Sequence, residues 1–259
     1  MNRIQQLIHP KTSVSEVADP SSIRRFSQKQ KTPAAQNFSF APLHYEPKYA
    51  YPLIIWLHGP NDNERQLKQV MPLISMRNFV GIGPRGTSME HDPDKTGFTW
   101  QQTSNDIFLA EQRVMDCIDA ATQRFNISMD KIFLAGFQTG GTMAMRVAMR
   151  NPERCAGVIS IGGSFPVNLH PVFDPQRVRK MPILIGHGRD SRQYPIEQVC
   201  DDIRLFHSAG LKVTLRQYPC ADDLTTKMLS DVNSWIMEEV TGDSPTQFSK
   251  SHFGGASLN

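Results

Sequence analysis

Six short apolar runs recur through the middle of this chain: LIIWL at 53–57, FVGIG at 79–83, IFLAG at 132–136, GVISI at 157–161, ILIGH at 183–187 and VTLRQY at 213–218. Each is too short for an independent helix, and each reads as a strand buried on both faces. Amphipathic segments lie between most of them. From Asp106 to Phe125 the residues Ile107, Val114, Ile118, Ala121 and Phe125 recur at helical spacing, with Asp106 as the expected N-cap. A helix starting near Pro195 is expected to end at Gly210, the residue type that follows helix C-termini. A last helix over about 224–240 gathers Leu229, Val232, Trp235 and Ile236 on one face. The alternating stretch FSFAPLHY at 38–45 reads as an antiparallel edge strand. Strands alternating with helices predict an α/β fold, a mostly parallel sheet of about seven strands with helices on both faces. In such sheets ligands bind beyond the carboxyl ends of the strands.

The same pattern sets the expected boundaries: one domain over 37–240, between tails at 1–36 and 241–259 whose polar composition predicts disorder. The first tail carries Arg3, Lys11, Arg24, Arg25, Lys29 and Lys31 against Glu16 and Asp19, so the rest of a chain with formal charge +3 is close to neutral. The tail reads as solvated, with a docking arm for an acidic partner as the alternative. A near-neutral domain gives no basis for a nucleic-acid surface. Cys117, Cys155, Cys200 and Cys220 form no CxxC pair, and reduced thiols are expected. No apolar run approaches the roughly 18 residues of a membrane span, and the N-terminus lacks the apolar core of a signal peptide. These readings place the protein in the cytoplasm, with no membrane span and no protein partner named.

Chemistry is expected where the run IFLAG leads through Gly136-Phe137-Gln138-Thr139-Gly140-Gly141 into the helical stretch TMAMRVAMRNP. Strand, sharp turn and helix in that order is the context of a nucleophile elbow, but the apex residue is Gln138. Here the sequence resembles the phospholipase, carboxylesterase and acyl-protein thioesterase branch of the α/β-hydrolases. The likeness runs from about 41 to 240 and rests on LHGPNDN (57–63), RFNISMDKIFLAGFQTGGTMAM (124–145), GGSFP (162–166), HGRDSRQYP (187–195) and RQYPCADDL (216–224). It implies an α/β-hydrolase fold and a Ser, Asp and His triad that cleaves carboxylic esters and thioesters without a cofactor.

Carried over residue by residue, the resemblance places Gln138 at the serine, Ser191 at the acid with Asp190 one residue early, and Asp222 at the histidine. A primary amide offers no dissociable nucleophile, and a carboxylate replaces an imidazole base near pH 7 only if its pKa is greatly raised. One oxyanion donor, the N–H of the residue after His58-Gly59, falls on Pro60, which has none. Losing such a donor costs roughly 100-fold to 1000-fold in turnover. With no triad member intact, the resemblance implies a degenerate site, a pseudoenzyme. His58, Gly59, Pro60, Gln138, Thr139 and Asp222 would line it for a small acyl or ester-like ligand, and Asp222 is expected to accept from the Gln138 amide.

Two alternatives stand beside this. One is an active carboxylesterase or thioesterase with a displaced nucleophile, Thr139 or Cys220, served by His58, His187 or His91, the last within a lid-like stretch at 84–99. The other is a scaffold acting through the basic tail. A metal set from His187, Asp190, Asp222 and Asp223 lacks any fixed ligand spacing, and Asp223 reads as the cap of the last helix, so neither metal nor cofactor is expected. The glycines 136, 140 and 141 do not match a dinucleotide fingerprint.

Overall fold

In the computed structural model, residues 36–88, 97–166 and 175–242 are described. Strand β1 (Asn37–Phe40) is followed by β2 (Tyr51–Leu57), α1 (Gln66–Ile74) and β3 (Val80–Pro84). The two short strands β4 (Thr87–Ser88) and β5 (Phe98–Thr99) then precede α2 (Ser104–Arg124), β6 (Ile127–Phe137) and α3 (Thr139–Arg150). The chain continues through β7 (Gly157–Ile161), α4 (Pro175–Val178), β8 (Ile183–Gly188), α5 (Ile196–Ala209), β9 (Val213–Tyr218) and α6 (Thr226–Thr241).

Seven strands form one sheet in the order β1-β3-β2-β6-β7-β8-β9, in which only β1 runs antiparallel, against β3. This is the predicted α/β sheet with its antiparallel edge. The edge strand is shorter than the 38–45 expected, because the chain turns away after Phe40 toward Pro42, which cannot donate to a ladder. β6 is longer than expected: an irregularity in its pairing with β2 lets Ile127 reach Tyr51 while Asp130 and Lys131 project from it.

Alternate strand residues feed two cores. Leu53, Ile55, Leu57, Ile132 and Leu134 pack with α2, α3 and α5; Ile54, Trp56, Phe133 and Ala135 pack with α1 and α6. Burial on both faces is why five of the runs are continuously apolar rather than alternating; VTLRQY, expected to be buried likewise, forms the edge strand β9, where Leu215 and Gln217 are exposed and only Tyr218 is buried. Helix α1, not foreseen, carries Leu67, Val70, Met71 and Ile74 inward, a clear helical period that the internal Pro72 disguises. The last helix buries Leu229, Val232, Trp235 and Ile236 as expected.

Both expected aspartate caps are corrected. Helix α2 is capped by Thr103, whose hydroxyl accepts from Asp106 N–H, and α6 by Thr225, which accepts from Met228 N–H. In each case a threonine on extended backbone precedes the helix, and the aspartate lies inside it or upstream. Helix α5 ends at Gly210 with φ 73°, as the glycine predicted. The 1–36 and 241–259 tails lie outside the described residues but for 36, 241 and 242, as does His91; of the 84–99 stretch, 84–88 and 97–99 are described.

A packing constraint joins β6, α3 and β2. A Cβ on Gly140 would lie 2.2 Å from Leu57 O and 2.4 Å from His58 O, and one on Gly136 would lie 2.5 Å from Gly140 C and O. Backbone therefore touches backbone, and neither contact yields to a side-chain rotation. Gly140→Ala is expected to cost at least about 2 kcal/mol of stability, read as a lowered denaturant midpoint, because the overpacked atoms are main chain.

Candidate functional site

The loops after β2, β6, β7, β8 and β9 gather at the carboxyl ends of the parallel strands, the end where binding was expected. At their centre stands Gln138, at φ 46° and ψ −116°, a conformation that non-glycine residues rarely adopt. The turn is held from three sides: Gln138 N–H donates to Ile161 O at 2.8 Å, Gln138 O accepts from Thr142 N–H at 3.0 Å, and the side-chain Nε2 donates to Asp222 O at 2.9 Å. Gln138 makes no side-chain cap to helix α3.

Gln138, Ser191 and Asp222 are thus brought together, though not as the sequence led us to expect. The Gln138 amide bonds the main-chain carbonyl of Asp222 and not its carboxylate. The carboxylate turns toward the loop after β8, where Oδ1 accepts from the Ser191 hydroxyl and Oδ2 from Arg192 N–H at 3.2 Å. That loop presents its N–H groups and Ser191 inward, so it offers the charged oxygens more donors than a single amide could. Burial pushes the Asp222 pKa upward, but hydrogen bonds from Ser191, Arg192 and Gln193 outweigh it and hold the carboxyl below its ordinary value. Asp190 is exposed, and its main-chain N–H, donating to Cys220 O at 3.0 Å, ties it to the same loop.

The segment after β2 is clamped by a residue that sequence reading missed. Gln66 Oε1 accepts from Trp56 Nε1–H at 2.8 Å and Gly59 N–H at 3.2 Å, while its Nε2 donates to Asp62 Oδ2 at 2.8 Å. Only its place at the start of the unassigned helix α1 could have marked it. Gly59 N–H is therefore engaged, and Pro60 beside it has no N–H to offer. Asn61 follows at φ 59°, and a Cβ on Gly97 would lie 2.4 Å from Asn61 Cα. The β4–β5 hairpin is thereby seated against this loop. Glu64, 6% exposed, takes a bidentate pair from Arg85, whose guanidinium also lies over the Phe98 ring. Burial, which raises the Glu64 pKa, is outweighed by this pairing, and the net shift is downward.

Both imidazoles of the site are committed to loops. His58 is buried; its Nε2 accepts from Gly86 N–H at 2.9 Å, so its proton sits on Nδ1, which donates to Gly59 O at 2.7 Å. Burial lowers its pKa despite the opposing pull of the Gly59 carbonyl. His187 donates through Nε2 to Tyr194 O at 2.8 Å, leaving a buried Nδ1 with no hydrogen-bond partner. The Thr139 hydroxyl meets the Thr99 hydroxyl at 3.3 Å. Cys220 has its thiol pKa raised by burial and by the carboxylates of Asp223, Asp190 and Asp222. Among the described residues no group of three or more His, Cys, Asp or Glu is arranged to hold a metal ion. No helix among them is long and apolar enough to cross a membrane.

The state of His58 fixes a pH dependence. Its folded pKa is lowered from the ordinary 6.5, so below about pH 6.5 the unfolded chain takes up a proton that the folded chain resists. Its contribution to stability is therefore complete above that pH and falls as pH drops below it. Glu64 and Asp222, both lowered, lose theirs only further down, through the carboxyl range. Denaturant midpoints should begin to decline as pH drops below about 6.5, and ring-nitrogen NMR should find His58 taking up its second proton at a lower pH than a free imidazole, with the proton of the neutral ring on Nδ1.

Comparison with known proteins places this geometry. The model of the Phospholipase/Carboxylesterase family matches residues 46–239. Carboxylesterase SOBER1 of Arabidopsis thaliana is 25% identical over 119 residues, 45% of this chain and 52% of that protein, so the chain spans about half the length of that curated relative. The crystal structure of the Bacillus cereus carboxylesterase superposes with a TM-score of 0.64 at 13% identity, over 81% of this chain and 97% of that one. That of Zea mays acyl-protein thioesterase 2 gives 0.62 at 15%, over 80% and 99%. At such identities the structural likeness speaks for the fold, which is that of the α/β-hydrolases. The family model covers most of the chain, and the protein belongs to the Phospholipase/Carboxylesterase family.

Proposed function

We propose that this protein is a catalytically degenerate member of its family, acting in the cytoplasm by binding a small acyl or ester-like ligand at the turn where its relatives would cleave one. The observation that carries this reading is the exhaustion of the groups at the three expected triad positions. Gln138 donates its amide to a carbonyl, Ser191 gives its hydroxyl to a carboxylate, and Asp222 holds a lowered rather than a raised pKa. None supplies a proton acceptor near neutral pH that also reaches a nucleophile. Pro60 and the engaged Gly59 amide leave the Thr139 N–H as the family-like oxyanion donor.

The displaced-nucleophile alternative draws less support. Thr139 would need a base, and both nitrogens of His58 are committed. Cys220 sits among three carboxylates that disfavour its thiolate. Alkylation by iodoacetamide at pH 8 should accordingly modify exposed Cys200 first and Cys220 more slowly. Cys117 and Cys155, whose pKa values burial pushes up to about 12, should react only after unfolding. A Cys220 that reacts faster than Cys200 would revive the cysteine nucleophile.

The direct test is hydrolysis of nitrophenyl butyrate and of an acyl thioester. The wild-type protein is expected to match the uncatalysed rate and to resist a fluorophosphonate probe. The triple substitution Gln138→Ser, Ser191→Asp, Asp222→His places a hydroxyl, a carboxylate and an imidazole at positions of which 191 and 222 already bond side chain to side chain, while the side chain of 138 reaches the main chain of 222. It should bring measurable turnover, still depressed roughly 100-fold to 1000-fold by the missing donor at Pro60. Wild-type turnover that survives rigorous purification and is lost in Thr139→Ala would overturn the degenerate reading.

A further inference from the structure

The same site carries a preference among ligands, and this inference rests on the binding reading above. Gln138 is 8% exposed. Its Nε2 is spent on Asp222 O, whereas its Oε1 bonds no described residue and keeps some access to solvent. It is also the N-cap residue of α3 and leaves that helix uncapped. The next residue, Thr139, is the first of the helix, and its N–H has no partner within the helix. Consecutive residues on a strained turn thus supply an acceptor that bonds no described residue and a donor with no partner within its helix.

A helix N-terminus alone favours an anion. Here two features oppose one. Gln138, the residue that precedes the helix, brings an amide oxygen that bonds no described residue, and Asp222, whose main-chain carbonyl its Nε2 reaches, belongs with Asp190 and Asp223 to a set of carboxylates close enough to act on the Cys220 thiol. His58, whose Nε2 accepts from Gly86 N–H, does not supply the cation that would offset a bound carboxylate, and the Arg192 guanidinium already acts on Asp222. The complement of an acceptor beside a donor is a group that offers a donor beside an acceptor.

We propose that the apex recognises a neutral carboxamide, its N–H donating to Gln138 Oε1 and its carbonyl accepting from the Thr139 N–H, in preference to the carboxylate or ester of the same chain. An ester offers the acceptor alone, and leaves Gln138 Oε1 unanswered on desolvation. A carboxylate sets charge against Oε1 and Asp222.

Hexanamide, hexanoate and methyl hexanoate form the test series, titrated into the full-length nitrogen-labelled protein while the Thr139 amide resonance is followed. Hexanamide should shift that resonance and bind about tenfold more tightly than either of the others. In Gln138→Met, which keeps the side chain's length and removes its acceptor, the amide's advantage should shrink to within about twofold, with a melting curve to show that the variant is folded. Hexanoate or the ester binding at Thr139 as tightly as the amide overturns the carboxamide preference and leaves the binding site standing. An amide advantage undiminished in a folded Gln138→Met also overturns it, as does a Thr139 resonance unmoved by all three. Should methyl hexanoate be consumed by the wild-type protein, the non-catalytic reading fails instead, and separately. The wild-type series decides the matter even if the variant does not fold.

Discussion

Helix α3 meets strand β2 main chain to main chain, with room for nothing at Gly140 beyond a hydrogen. This one contact sets the angle at which the chain leaves β6, forces the reversal at Gln138 and aims the first turn of α3 at the loops beyond the sheet. The two cores follow from the same seating. Because α3 is pressed into the sheet, Gly140 through Met149 are buried, and the flanking helices α2 and α5 close over the remaining apolar surface on that face. The turn is therefore structural before it is chemical.

How the apex tolerates a glutamine can be weighed. A non-glycine residue at this φ and ψ costs of order 1–3 kcal/mol. The main-chain bonds to Ile161 O and from Thr142 N–H form whatever the side chain is, and at about 1 kcal/mol each they offset most of that cost. The bond from the amide to Asp222 O is what glutamine in particular adds, and it reaches across to the loop after β9. A serine here would be too short to reach that carbonyl directly. Residue 138 has gained a structural bond at the position where the resemblance expects a nucleophile.

Much of this was legible in the sequence because it is written in local terms. Continuous apolar runs mean strands buried on both faces, and Gly210 and the periodic face from Leu229 to Ile236 gave helix limits to within a residue or two. The glycines around Gln138 gave the turn. The misses share a different cause. Asp106 and Asp223 were read as caps because aspartate is a good cap, yet Thr103 and Thr225 sit at the point where the backbone leaves the helix, and no spacing rule separates a cap from its neighbour. Helix α1 was hidden by Pro72 within an otherwise periodic face. The partner of the Asp222 carboxylate was set by the direction of the loop after β8, more than thirty residues away in sequence, which the order of motifs does not encode.

The arrangement of Ser191, Asp222 and Gln138 explains how a site carrying these three residues at the triad positions stays ordered. In a triad each member is oriented by the next, and removing one would leave a buried polar group without a partner. Here each position still has one: hydroxyl to carboxylate, and amide to the main-chain carbonyl of the same residue. The chain of contacts runs through Asp222 in the same spatial order that a triad would, but every proton in it is held by a group that keeps it at neutral pH. On the binding reading proposed above, orientation is kept while the proton transfer of a triad is not. Under that reading the network holds the turn before α3 in one geometry, with the Asp222 carboxylate kept ionised by its donors, an arrangement suited to holding a ligand.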